Sequence, residues 1–412
     1  SPLLHDSVEF RLFYSGWSDG FLITTKFLLI EGVPPQDVVQ IQSLWNGNFL
    51  YGSTQDEIEN HLPLMTLNVP PTATGGKLRI ITTGHSFGGN ENCAEFCQKF
   101  HEVVIGSTTH TQDLWRYDCD VNPLYPQAGT WLYDRGGWCP GSEVRPYDYD
   151  MTPEITPGGT VDVDYNMDFY VYTGGASFPP QYTTSGYVFF YGSPNHTLDA
   201  RITDVISPTR ADIHKRQNPI CNQPKIIVQN AGTTAITSLN IAYGPQSMNP
   251  AFYTWNGNLG FMESVEIALP AVPLAGDSVF VVTISNPNGG TDQYEWNNSF
   301  RTTYRPIPVL PSALRLLTRT NNAPTETRFE LTNAAGTVLY QNQQGMIMNT
   351  MYNDTFQLAP GECYQLRIWD TGEDGLSFFA NNDGNGYMRL YDLTANQTII
   401  NFERNFGGEL IY

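Results

Sequence analysis

Along this chain, Val, Ile, Thr, Tyr and Phe recur in short runs with polar residues between them, and clusters of Gly, Pro, Asn and Asp separate the runs. This texture predicts strands and tight turns. Runs at 77–83, 101–105, 162–172 and 186–191 read as strands of a sandwich or jelly roll. After Ser207-Pro208 the texture changes, and runs at 224–230, 236–243, 265–269 and 278–285, closed by 292–301, read as an immunoglobulin-like sandwich. Pro306, Pro308 and Pro311 then mark an extended linker. Runs at 327–332, 337–341, 363–369 and 387–392 predict a third β module, and no helical period exceeds about two turns. At the start, residues 8–14 and 21–31 flank a Ser18-Asp19-Gly20 turn and read as a hairpin, which is marginal in water by itself. The expected fold is all-β, divided into 1–32, 33–207, 208–305 and 306–412.

Composition agrees with that class. Charged residues make up 15% of the 412 positions, against a usual figure of about 25%, while 37 glycines and 28 prolines supply turns. A net charge of −20 repels phosphate backbones, so nucleic acid is excluded as a partner. No apolar run approaches the ~20 residues of a membrane-spanning helix. The chain opens on Ser1-Pro2 with no initiator Met and no apolar leader, as expected of a trimmed, secreted or cell-surface product.

Four of the six cysteines, Cys93, Cys97, Cys119 and Cys139, fall close together. Cys93 and Cys97 can be bridged only if the chain coils between them, because four extended residues span roughly 13 Å and a disulfide needs Cα atoms about 4–7 Å apart. Such a bridge would staple Ala94-Glu95-Phe96 into a fixed turn, and Cys119–Cys139 would close the loop that follows. The extracellular character of the composition favours disulfides, with a four-thiolate zinc site as the alternative. Cys221 and Cys363 are either single buried thiols or a bridge between the last two modules.

Three segments taken together, Ile80-Ile81-Thr82-Thr83-Gly84-His85, Asn92-Cys93-Ala94-Glu95-Phe96-Cys97 and Asp134-Arg135-Gly136-Gly137-Trp138-Cys139-Pro140-Gly141, resemble the C-terminal jelly roll of the bacterial peptide-N-glycosidase F family. The resemblance covers roughly residues 1–206. It implies two jelly rolls packed side by side and hydrolysis of the amide joining asparagine to the first N-acetylglucosamine of an N-glycan. It also implies Glu95 as a catalytic carboxylate, Arg135 as the active-site arginine, and Trp138, Trp17 and His85 as substrate-binding residues. The family's essential aspartate lies in the N-terminal jelly roll, and residues 1–32 look like the last hairpin of that otherwise missing domain. A further family carboxylate falls at Ser15, and a family tryptophan falls at Thr83. Copper-dependent relatives of the same architecture need clustered His and Met ligands, whereas the seven histidines here are scattered singly.

Two function classes follow. The first is an N-glycan-releasing amidase acting on N-glycoproteins, completed by an upstream domain and needing no catalytic cofactor. The second is a surface protein without catalysis, binding glycan or protein, or self-associating into an adhesive or filamentous assembly. The bland alternative for the site is a Glu capping local backbone N–H groups and an Arg holding a loop. In the third module, Asp370, Asp374 and Asp383 lie in two Gly- and Asn-rich turns and are candidate ligands of a structural calcium ion; plain Asx turns are the alternative. Four N-x-[ST] tripeptides begin at Asn195, Asn297, Asn353 and Asn396; such tripeptides are frequent by chance, and they carry little weight if the source is bacterial, as the resemblance implies.

Overall fold

A computed structural model describes residues 8–11, 25, 27, 31–174, 178–274 and 278–412. The hairpin expected across 8–31 therefore falls largely outside the described residues, and Ser15 and Trp17 fall wholly outside them. The described residues are nearly all β, in six sheets of antiparallel strands arranged as three two-sheet units.

In the first unit, one sheet runs in the order Gln36–Leu50, Gln181–Pro194, Gly75–His85, Tyr147–Asp150, and the other in the order Met65–Asn68, Thr160–Asn166, Phe100–Ile105, Thr108–Asp113. Alternation decides which side chains go inside. Leu78 and Ile80 from one sheet meet Val103, Ile105, Val163 and Tyr165 from the other in a single buried cluster. The run expected at 162–172 ends as a strand at Asn166, and Tyr170 beyond it packs on the same core from a loop.

The second unit faces the sheet Ser264–Ala268, Lys225–Asn230, Ala200–Ser207 with a four-stranded sheet ordered Ala251–Leu259, Ile236–Pro245, Val279–Ser285, Ser299–Thr303. The expected boundary after residue 207 is thus displaced. Ala200–Ser207 pairs with Lys225–Asn230, and its Ala200, Ile202 and Val205 are buried in the second core, so this unit begins before Ala200. Pro208 ends a strand of the sandwich; it does not separate two sandwiches.

The third unit packs Met351–Gln357, Ala313–Arg319, Tyr387–Asp392, Gln397–Asn401 on Val338–Gln341, Thr327–Asn333, Tyr364–Asp370, Glu409–Ile411. Several contacts among the described residues tie it to the others. Cys221 and Cys363 form a disulfide between the second and third units, with Cα atoms 6.0 Å apart. Trp131, fully buried, packs with Leu132 on Phe378 and donates its indole N–H to Asn405 Oδ1 at 3.0 Å. Arg216 donates to the backbone oxygens of Asn122 at 2.6 Å and Asp120 at 3.1 Å in the first unit, and of Phe406 at 2.9 Å and Glu409 in the third.

Candidate active site

The site is built where the strand Gly75–His85 ends. All six cysteines are oxidised: Cys93–Cys97 and Cys119–Cys139 are disulfides with Cα separations of 4.8 and 5.2 Å, which removes the zinc alternative. The first staple closes the turn 93–97 on itself, and the second ties the loop 134–141 to Cys119. Contact between these segments is close enough to require glycine. A Cβ on Gly84 would lie 2.2 Å from the Ala94 carbonyl oxygen, and Gly137, at φ +83°, would meet the Thr82 carbonyl oxygen at 2.2 Å. Backbone hydrogen bonds lace the three together, from Gly84 N to Gly136 O and from Gly136 N to Glu95 O, both at 2.8 Å.

This scaffold brings Glu95 and Arg135 together across 40 residues of sequence. Arg135 Nη1 donates to Glu95 Oε1 at 2.9 Å, with only 4% of the Arg135 side chain and 14% of the Glu95 side chain exposed. The guanidinium is also held by the Tyr133 carbonyl at 3.1 Å and by the Thr130 carbonyl, and it lies 4.9 Å from the Phe96 ring centroid and 4.8 Å from that of Trp138. Burial pushes the Glu95 carboxyl up, opposed by Arg135 and by a Ser86 hydrogen bond; burial pulls Arg135 down, opposed by Glu95 and Asp134. The pair is thus a desolvated carboxylate with its cation behind it.

His85 and Trp138 stand behind the ion pair. Trp138 donates its indole N–H to the Gly84 carbonyl at 2.8 Å, and the His85 ring lies 5.2 Å from it, with His85 Nε2 2.8 Å from Thr83 Oγ1. Burial, then the Arg135 charge, lowers the His85 pKa, which favours a neutral imidazole. Trp138, expected to bind substrate, turns one ring face to Arg135. A cavity of about 650 Å³ opens in front of Glu95, bounded on the first unit by Phe87, Phe96, Trp115, Tyr133 and Asp134. Phe87, Phe96 and Tyr133 form a belt of edge-to-face rings, with centroids 5.3 and 6.5 Å apart. Gly372, Glu373 and Asn381 of the third unit bound the opposite side, a contribution with no sequence signal.

In the third unit the structure selects a carboxylate set different from the expected one. Glu326, Asp374 and Asp383 place carboxylate oxygens within 4.8 Å of one another. Asp370 is spent locally, accepting from Gly372 N at 3.1 Å and Thr327 Oγ1 at 3.3 Å. Three carboxylates carry six oxygens, and calcium takes six to eight from carboxylates, carbonyls and water.

Comparison with known proteins bears on the stapled site. Residues 53–173 match the family model described as "Peptide-N-glycosidase F, C terminal". The match is narrower than the resemblance read from the motifs, yet it holds both staples, Glu95, Arg135 and Trp138, and it ends before the second and third units. A curated relative, peptide-N(4)-(N-acetyl-beta-D-glucosaminyl)asparagine amidase F of Elizabethkingia miricola, is 24% identical over 182 residues, covering 42% of this chain and 51% of the relative. The chain thus spans about half the length of the curated relative it matches. The solved structure of PNGase F from Flavobacterium meningosepticum aligns at 22% identity over 37% of this chain and 51% of its own, with a TM-score of 0.33. A beta-D-mannosidase from Dictyoglomus thermophilum aligns at 10% identity over 69% of this chain and 38% of its own, with a TM-score of 0.27.

Proposed function

We propose that the first unit carries a PNGase F-like site that binds the Asn-linked core of an N-glycoprotein, with Glu95 facing the substrate and Arg135 positioning Glu95 from behind. The observation that carries this reading is the buried Glu95–Arg135 pair on the disulfide-stapled turn, inside the segment that matches the PNGase F C-terminal model. In the amidase reaction, water adds to the asparagine side-chain carbonyl carbon, the C–N bond breaks, and aspartate and a glycosylamine leave. A desolvated carboxylate can orient the water or the amide N–H, while aromatic faces hold the sugar rings. By the resemblance, the family's essential aspartate belongs to the N-terminal jelly roll, so hydrolysis would draw on a carboxylate besides Glu95. The three disulfides support an oxidising, extracellular setting.

A second reading, glycan binding without cleavage, is favoured by one observation: Glu95 Oε1 is already engaged by Arg135. Incubation with a denatured N-glycopeptide, read by mass spectrometry, separates the two. Conversion of the glycosylated Asn to Asp that disappears in Glu95→Gln establishes the amidase. Glycopeptide binding without conversion establishes the lectin-like reading, and absence of both refutes the site.

A further inference from the structure

One side of the cleft lies outside the PNGase F match altogether. Gly372, Glu373 and Asn381 come from the third unit, and they are fixed in place across the junction. Tyr133 donates its hydroxyl to Asn381 Oδ1 at 3.1 Å, and its ring meets Phe378 edge-on at 5.7 Å. Asn381 in turn donates to the buried Asp374, so both ends of its amide are committed to holding the wall. Beyond Asn381 a second hollow, of about 500 Å³, continues onto the third unit past Phe379, Asn382, Asn385 and Asn405. The two hollows share Asn381 and run from one unit to the other.

Their linings have a definite chemistry. The first holds three carboxylates, Glu95, Asp134 and Glu373, with four aromatic rings and no Lys, Arg or His. The second holds amides, one hydroxyl and two phenylalanines, of which Phe379 is exposed, and it has no ionisable side chain. Arg135, the nearest cation to Glu95, is buried behind it and already paired. Aromatic faces suit the C–H faces of pyranose rings, and amides and carboxylates suit hydroxyls and acetamido N–H groups. A sugar carboxylate or sulfate would instead face Asp134 and Glu373 with no free counter-ion in the lining, on a chain of net charge −20.

We infer that the third unit's loop extends the site into a two-unit cleft for uncharged saccharide, with Glu373 as the residue that selects against acidic sugars. This rests on the N-glycan reading above, which calls for N-acetylglucosamine units in the cavity before Glu95. Glu373 suits the role because its carboxylate stands on the exposed side of the loop, with no ion-pair partner among the described residues. Its backbone is pinned by the N–H donated to Asp370 O at 3.2 Å.

The test is calorimetric titration of the full chain with two disaccharides of equal size that both contain N-acetylglucosamine: neutral diacetylchitobiose and the glucuronate-bearing hyaluronan disaccharide. The wild type is expected to prefer chitobiose. Glu373→Gln removes the charge at nearly constant shape; it should narrow the preference by about fivefold at low salt, as for one charge several ångströms away, with less effect at high salt. Chitobiose binding that depends on Glu95 but is indifferent to ligand charge, or a preference unchanged in Glu373→Gln, overturns the inference and leaves the N-glycan reading standing. No chitobiose binding to the wild type overturns both.

Discussion

At the scale of the residue, the informative group is Arg135. The motif places it beside Glu95 by resemblance only; the structure gives it a physical role as the cation that makes a buried carboxylate tolerable. Removing one partner of a buried pair leaves the other desolvated and uncompensated, which costs more than the pair itself contributes. Arg135→Leu is therefore expected to destabilise the first unit by about 3–5 kcal/mol in chemical denaturation. Glu95→Gln, which keeps an acceptor for Arg135, should cost distinctly less. Equal costs would mean that the guanidinium is held by the Tyr133 and Thr130 carbonyls and by its two flanking rings, with Glu95 incidental. The motif singles out Glu95, Arg135, Trp138 and His85, and the structure brings the four together. Their division of labour was not legible from the motif, because which face of Trp138 is free depends on where Arg135 lies.

At the scale of the element, the site depends on three segments meeting with almost no space between them. Gly84 sits where the strand Gly75–His85 passes under the stapled turn, and a methyl group there would have to displace the Ala94 carbonyl. Backbone cannot swing aside as a flexible side chain does. Gly84→Ala is expected to cost about 1–3 kcal/mol, the range for overpacking, and to loosen the turn that carries Glu95. Thermal melting and proton–deuterium exchange at Glu95 and Gly136 would check it; unchanged protection at both amides would show that the turn is held by its disulfide alone. The strands themselves were readable wherever alternation was regular, as at Lys225–Asn230 and Tyr387–Asp392. Ala251–Leu259 was not picked out from the pattern, since Asn256-Gly257-Asn258 gives its second half the composition of a turn.

At the scale of the whole molecule, the three units are joined by a disulfide, an apolar cluster and buried hydrogen bonds. Asp120 is 6% exposed there, and its neighbours Gly407 and Gly408 have no room for a Cβ against it. Burial, with Glu373 and Asp134 adding repulsion against the opposing charge of Arg216, pushes its carboxyl up from 3.8 to about 7. A raised carboxyl binds its proton more tightly in the folded state. Its contribution to stability is therefore complete below about pH 4 and is lost as pH rises through about 7. The junction is expected to melt at higher temperature at pH 5 than at pH 8, by the equivalent of a few kcal/mol at most. Asp120→Asn should flatten that dependence. A slope that survives in the variant would assign the effect to other carboxyls.

The sequence by itself determined the local layers of this protein: the all-β class through its period-two runs and turn residues, and the segments that carry Glu95 and Arg135 through motifs a few residues long. Those signals are short-range, so they survive in one dimension. Only the tertiary structure decided which unit Ala200–Ser207 joins, that Cys221 pairs with Cys363, that Glu326 stands where Asp370 was expected, and that Glu373 and Asn381 wall the cleft before Glu95. Each of these depends on which surfaces meet across long stretches of chain, and burial against a distant partner leaves no periodicity in the sequence to read.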